Sequence, residues 1–122
     1  FSGLVFEQRL LQHSNAPQSE ICFYDRGIVD VIAYMQNDQL TIPEHFLQTA
    51  QTNHYNQLVF LTPPWKEIYL MDNERKEDFE KAYKIHQTIE NTYKQFGYKT
   101  ENIPLLDIEE RVNFILSKIN LF

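Results

Sequence analysis

The sequence predicts an α/β domain in which a parallel sheet is covered by helices. Two short unbroken apolar runs, Ile21-Cys22-Phe23-Tyr24 and Leu58-Val59-Phe60-Leu61, read as strands buried on both faces. Stretches of helical periodicity flank and separate them, and strands that alternate with helices are joined in parallel rather than as hairpins. The first run also leads straight into Asp25-Arg26-Gly27. Open α/β sheets place their ligands outside the carboxyl ends of their strands, so this acid-base pair is the first candidate for chemistry.

Taken in order, residues 2 to 13 show helical spacing, with Phe1, Leu4, Val5 and Leu11 on the apolar face. His13 to Ser19 is a loop by composition. The strand at 20 to 25 follows, and Gly27 is expected to let the backbone turn sharply into a helix over 28 to 36. Asn37-Asp38 breaks that helix. Pro43 opens another, to Thr52, with Phe46, Leu47 and Ala50 inward. The strand 57 to 61 ends at Pro63-Pro64, which cannot continue a central ladder. From Asp72 to Phe96 one long helix carries the stripe Phe79, Ala82, Tyr83, His86, Ile89, Tyr93 and Phe96, and Gly97 is its stop. Tyr98 to Leu106 is a third strand candidate. Asp107, paired with Glu110 three residues on, caps a last helix whose core face is Ile108, Val112, Ile115, Leu116 and Ile119.

The 122 residues make one domain, and 43% hydrophobic with 14% aromatic residues is a globular composition. A formal charge of −6 argues against nonspecific nucleic-acid or membrane-surface binding. The single cysteine, Cys22, rules out a disulfide within the chain, suits a reducing compartment, and is expected to be a small buried hydrophobe. No apolar run approaches the ~20 residues of a membrane span, and no signal segment is seen, so the expectation is a soluble cytoplasmic protein.

Asp25 and Arg26 are either a strand-end salt bridge or a catalytic pair. A carboxylate there can hold a magnesium-bound water or accept a proton from an attacking hydroxyl, and an adjacent guanidinium can orient it or clamp a phosphate. Asp72-Asn73-Glu74-Arg75-Lys76-Glu77-Asp78 is either a solvated helix start or a lid whose Arg75 and Lys76 close on phosphates. Trp65 is an anchor at the base of that segment. Arg9 either faces a substrate pocket or lies on an exposed helix face. His13, His45, His54 and His86 lack the paired spacing of a zinc site. Neither G-x-x-x-x-G-K-[ST] nor G-x-G-x-x-G occurs, and the only glycines are Gly3, Gly27 and Gly97.

The run Phe23-Tyr24-Asp25-Arg26-Gly27-Ile28-Val29-Asp30-Val31-Ile32-Ala33-Tyr34 resembles a block of an AAA-type P-loop ATPase family of nucleoside-kinase-like proteins, similar to the ribosylnicotinamide kinase domain. The resemblance continues through Val59-Phe60-Leu61, Pro64-Trp65-Lys66-Glu67, Asp72-Asn73-Glu74-Arg75, Gly97-Tyr98 and Glu109-Glu110-Arg111. It implies a three-layer αβα P-loop NTPase fold of kinase type, incomplete at its N-terminus because the glycine-rich loop is missing.

It further implies ATP and Mg2+ as cofactors, and a nucleotide and a small-molecule acceptor as partners. Asp25 would be the catalytic base or magnesium-water ligand, with Arg26 and Arg75 catalytic, Arg9 toward the substrate, and Leu105, Leu106 and Asp107 near the adenine. Such sites work by positioning and charge stabilisation. Without an upstream phosphate loop the chain is expected not to bind ATP detectably. The rival expectation is a truncated noncatalytic α/β interaction module, two copies of which would fill each other's missing strand.

Overall fold

The computed structural model describes residues 2–17, 21–66 and 73–119, the side chains of 73–77 excepted. In chain order the elements are α1 (Ser2–Asn15), α2 (Ile28–Asn37), α3 (Glu44–Thr52), β1 (Leu58–Leu61), α4 (Asn73–Gln95), β2 (Lys99–Asn102) and α5 (Ile108–Lys118).

The organising element is α2. Its sequence is apolar around its whole circumference, and such a helix is stable only if it is covered on every side. It packs against α1, α3 and α4, and Ile28, Val29, Val31, Ile32, Ala33 and Met35 are all buried. From α1 comes Phe6, whose ring stacks on Phe46 of α3 with centroids 3.9 Å apart. The face of α1 that meets this core is Val5, Phe6 and Leu10. Leu4 and Leu11, expected inward, are 75% and 59% exposed, and Phe1 lies outside the described residues.

β1 and β2 pair in parallel, with Leu58 opposite Lys99 and Leu61 opposite Asn102, joined by the crossover helix α4. The pairing extends by one bond at each end, from Lys99 N–H to Gln57 O and from Ile103 N–H to Leu61 O. Helices with a small parallel sheet make this an α/β fold, and among the described residues the sheet has two strands. The strand expected at 20–25 does not form: 21–24 has no regular structure, with Ile21 58% and Phe23 66% exposed. A strand needs a neighbour for its ladder, and no described segment offers one there. Cys22 is accordingly exposed rather than buried.

The C-terminal half of α4 supplies buried Thr92 and Tyr93, whereas Tyr83 further up the expected stripe is 46% exposed. The helix stops as the sequence indicates. Gly97 takes φ 88°, and the N–H groups of Gly97 and Tyr98 return to the carbonyls of Lys94 and Tyr93. At α5 the Asp107 carboxylate accepts the Glu110 N–H at 2.8 Å. Asp107→Ala should therefore cost about 1 kcal/mol, measured by thermal unfolding. The expected core face of α5 is covered only in part: Ile115, Leu116 and Ile119 are half-buried, whereas Ile108 is 82% and Val112 47% exposed. Amphipathic spacing marks a face to be covered; it does not supply the cover. No helix among the described residues is long and apolar enough to cross a membrane.

Candidate functional site

Three tyrosines and one aspartate fix the turn that carries Asp25 and Arg26. Asp30, in the first turn of α2, is the one acid in an otherwise apolar helix, and it is buried. Its Oδ2 accepts the Gly27 N–H at 2.6 Å and the Tyr93 hydroxyl at 2.5 Å. The next amide, Ile28 N–H, donates to Tyr55 Oη at 2.9 Å, and Tyr55 N–H donates to Tyr98 Oη at 2.9 Å. Two of the donors left open at the start of α2 are thus satisfied by side chains, one from within the helix and one from the segment before β1.

Burial raises the Asp30 carboxyl above its usual range, against the opposing pull of the Tyr93 and Gly27 hydrogen bonds and of Arg26 and Arg9. The Tyr93 hydroxyl is also pushed up, first by burial and then by the neighbouring Asp30 charge, which keeps it a donor. Burial pushes Tyr55 up to about 12.

Within this frame it is Arg26, not Gly27, that takes the left-handed conformation, with φ 70°. For a residue with a Cβ this costs on the order of 1 kcal/mol, so the Gly27 and Ile28 hydrogen bonds that follow it must hold it. Gly27 is extended and serves close approach instead. A Cβ there would stand 2.9 Å from Cζ and Oη of Tyr55. That ring cannot retreat freely, because its hydroxyl holds Ile28 and its edges meet His13 and Tyr24. Gly27→Ala is expected to cost about 1–3 kcal/mol in urea unfolding.

The turn opens onto a cleft of about 550 Å3 between α1 and residues 23–26. Arg9, Asp25 and Arg26 all line it, so three of the residues singled out from the sequence share one surface. Arg9 Nη1 donates to Gln12 Oε1 at 3.3 Å, and the Arg26 guanidinium lies 5.4 Å from the centre of the Tyr34 ring.

The remaining candidates lie elsewhere. Tyr55 and Tyr98 precede β1 and β2, so the Asp25 turn is on the amino-terminal side of the sheet. Leu105, Leu106 and Asp107 follow β2 on the other side, and they do not line this cleft. Arg75 is on α4, and its side chain is outside the described residues, as is most of the Asp72–Asp78 cluster. Trp65 is half-buried with the Arg111 guanidinium 5.7 Å from its ring centre.

Asp30, Tyr55, Tyr93 and Tyr98 carry the geometry, yet none stands out in the sequence as a site residue. The available signal was a single acid inside an apolar helix, three residues after a glycine at the helix start. A buried carboxylate demands partners.

Asp25 alone does not make a magnesium site, being one exposed carboxylate beside two guanidiniums. Asp25 contributes one carboxylate, and among the described residues no three His, Cys, Asp or Glu side chains gather to hold a metal. Magnesium commonly keeps several waters and takes one or two carboxylates plus phosphate oxygens, so one acid beside two guanidiniums fits a magnesium-phosphate unit better than a bare ion. Leu105 and Leu106 are exposed. Asp107 is already engaged by the Glu110 N–H.

A family model for an AAA domain matches residues 1–111 of the chain. No curated protein and no solved structure matches it.

Proposed function

The chain belongs to the AAA domain family, and from that premise we propose that it forms part of a P-loop NTPase that passes a phosphoryl group from Mg-ATP to a small molecule, with transfer to water the closest competing outcome. The observation that carries this reading is the cleft that the Asp25 carboxylate lines together with the Arg9 and Arg26 guanidiniums. A carboxylate beside two cations can take the proton of an attacking hydroxyl while the cations hold and neutralise phosphate oxygens. Arg9 and Arg26 would bind and orient the acceptor, Asp25 would take its proton or hold a metal-bound water, and Arg75 would close from the start of α4. When bound, the Mg-nucleotide supplies the phosphoryl group. The phosphate cradle of such enzymes has no counterpart among these 122 residues, so in this reading residues outside them provide it.

The test is ADP formation by the natural full-length protein with Mg-ATP, with and without added small hydroxyl compounds. Arg26→Ala is expected to raise KM for the acceptor about tenfold or more while leaving unfolding temperature within a few degrees. Acceptor KM unchanged in Arg26→Ala would contradict the assignment.

One observation favours a second reading, a protein-interaction module. Each strand of the two-stranded sheet has an unpaired edge among the described residues, and Leu105, Leu106, Ile108 and Val112 are all exposed. That reading expects a concentration-dependent dimer in sedimentation equilibrium, and a monomer at every concentration would count against it.

A further inference from the structure

We infer that the Arg9–Asp25–Arg26 cleft takes a ligand of two parts, a flat unsaturated ring and an anionic group held side by side. This rests on the reading of the cleft as the acceptor site and names the class of molecule it admits.

The ring is indicated by Phe23. It lies on the cleft wall and is 66% exposed. Its neighbour Tyr24 is occupied by an edge contact with Tyr55, centroids 5.0 Å apart, whereas no ring partner is found for Phe23 among the described residues. A large apolar ring in open solvent on the wall of a charged cleft is a surface suited to stacking.

The anion is indicated by charge. The chain carries −6, yet the charged groups lining the cleft are two guanidiniums and one carboxylate, a local excess of one positive charge. Phe23 and Arg26 are three residues apart across the bend at 25–26, and both line the cleft. One small molecule that carries both a ring and an acid can therefore meet the two side chains within the same cleft. Gln12 and Asn15, on the same wall of α1 as Arg9, offer amides to a polar ring edge.

Other occupants fit less well. A purely apolar ligand would desolvate two guanidiniums without pairing them. A bare inorganic anion would leave Phe23 uncovered and much of the roughly 550 Å3 unfilled. A polyanion would meet the repulsion of the remaining acidic surface.

Isothermal titration of the full chain, without nucleotide, tests this with phenyl phosphate, phenylacetate, inorganic phosphate and phenol. Phenyl phosphate should bind about tenfold or more tighter than either inorganic phosphate or phenol. Comparison with phenylacetate tells a phosphate from a carboxylate as the preferred anion, and either preference satisfies the proposal provided the ring adds affinity. Phe23→Ala should abolish the ring's advantage and leave inorganic phosphate binding unchanged, and Arg26→Ala should weaken both phosphates alike. Since Phe23 is so exposed, its variant should retain the wild-type amide NMR spectrum outside residues 21–27.

A ring that adds nothing, or an advantage that survives Phe23→Ala, overturns the proposal. The titration requires no turnover. Ring-dependent binding without phosphoryl transfer would therefore count against the acceptor reading alone, and transfer without ring dependence would count against the ligand class alone.

Discussion

Replacing Asp30 with alanine is expected to lower the unfolding free energy by about 2–4 kcal/mol, and replacing it with asparagine by about half of that or less. Alanine leaves the Gly27 N–H and the Tyr93 hydroxyl without their shared acceptor, and both are in a buried environment. Asparagine keeps one oxygen for them and removes a charge that burial disfavours. The carboxylate itself is a strained guest: its pKa is raised above the ordinary 3.8, with desolvation the leading cause.

The pH dependence follows. A carboxyl that holds its proton more tightly when folded makes stability fall as pH climbs from about the ordinary value through the raised one. The stability of the wild type relative to Asp30→Asn should decline across that window and be flat above it. Urea unfolding at a series of pH values from acid to neutral measures this difference directly. A wild-type advantage that grows with pH would mean that the hydrogen bonds, and not desolvation, dominate.

The helices were legible because each carries its own local signals. Gly97 stops α4 through its left-handed φ, Asp107 caps α5 through its carboxylate, and the apolar circumference of α2 demands burial. β1 was legible for the same reason, since Pro63-Pro64 ends it, and its parallel partner β2 follows the crossover helix. What was not legible depends on a neighbour. Ile21-Cys22-Phe23-Tyr24 has a strand's composition, but a ladder requires a second chain segment at its side, and composition cannot say whether one is there. Ile108 and Val112 have core spacing, yet both are exposed, while Phe114 further along the same helix meets Phe60 of β1.

The candidate site divides in a similar way. Arg9, Asp25 and Arg26 line one cleft, although the strand end expected to present Asp25 and Arg26 does not form. The frame beneath them was not foreseen, because it is made by contacts distant in sequence: Asp30 with Tyr93, Ile28 with Tyr55, Tyr55 with Tyr98. Gly27 was assigned to the wrong physical role. Its place between Asp-Arg and the helix suggested a turn, yet Arg26 takes the positive φ and Gly27 clears room for the Tyr55 ring. Leu105, Leu106 and Asp107 lie across the sheet from the Asp25 turn. A role for them in the same reaction requires a ligand that reaches both sides, or a movement of one segment toward the other.

The central claim is that Asp25 acts on a reacting group, and Asp25→Asn in the natural full-length protein tests it most directly. Asp25 is exposed, and no hydrogen bond of the frame runs through it, so the substitution should leave the unfolding temperature near that of wild type. Phosphoryl transfer from Mg-ATP, measured as kcat with acceptor saturating, should fall roughly 10²- to 10⁴-fold if Asp25 takes the acceptor's proton. Wild-type turnover in the folded Asp25→Asn protein would contradict the account and leave Asp25 a surface carboxylate beside Arg26.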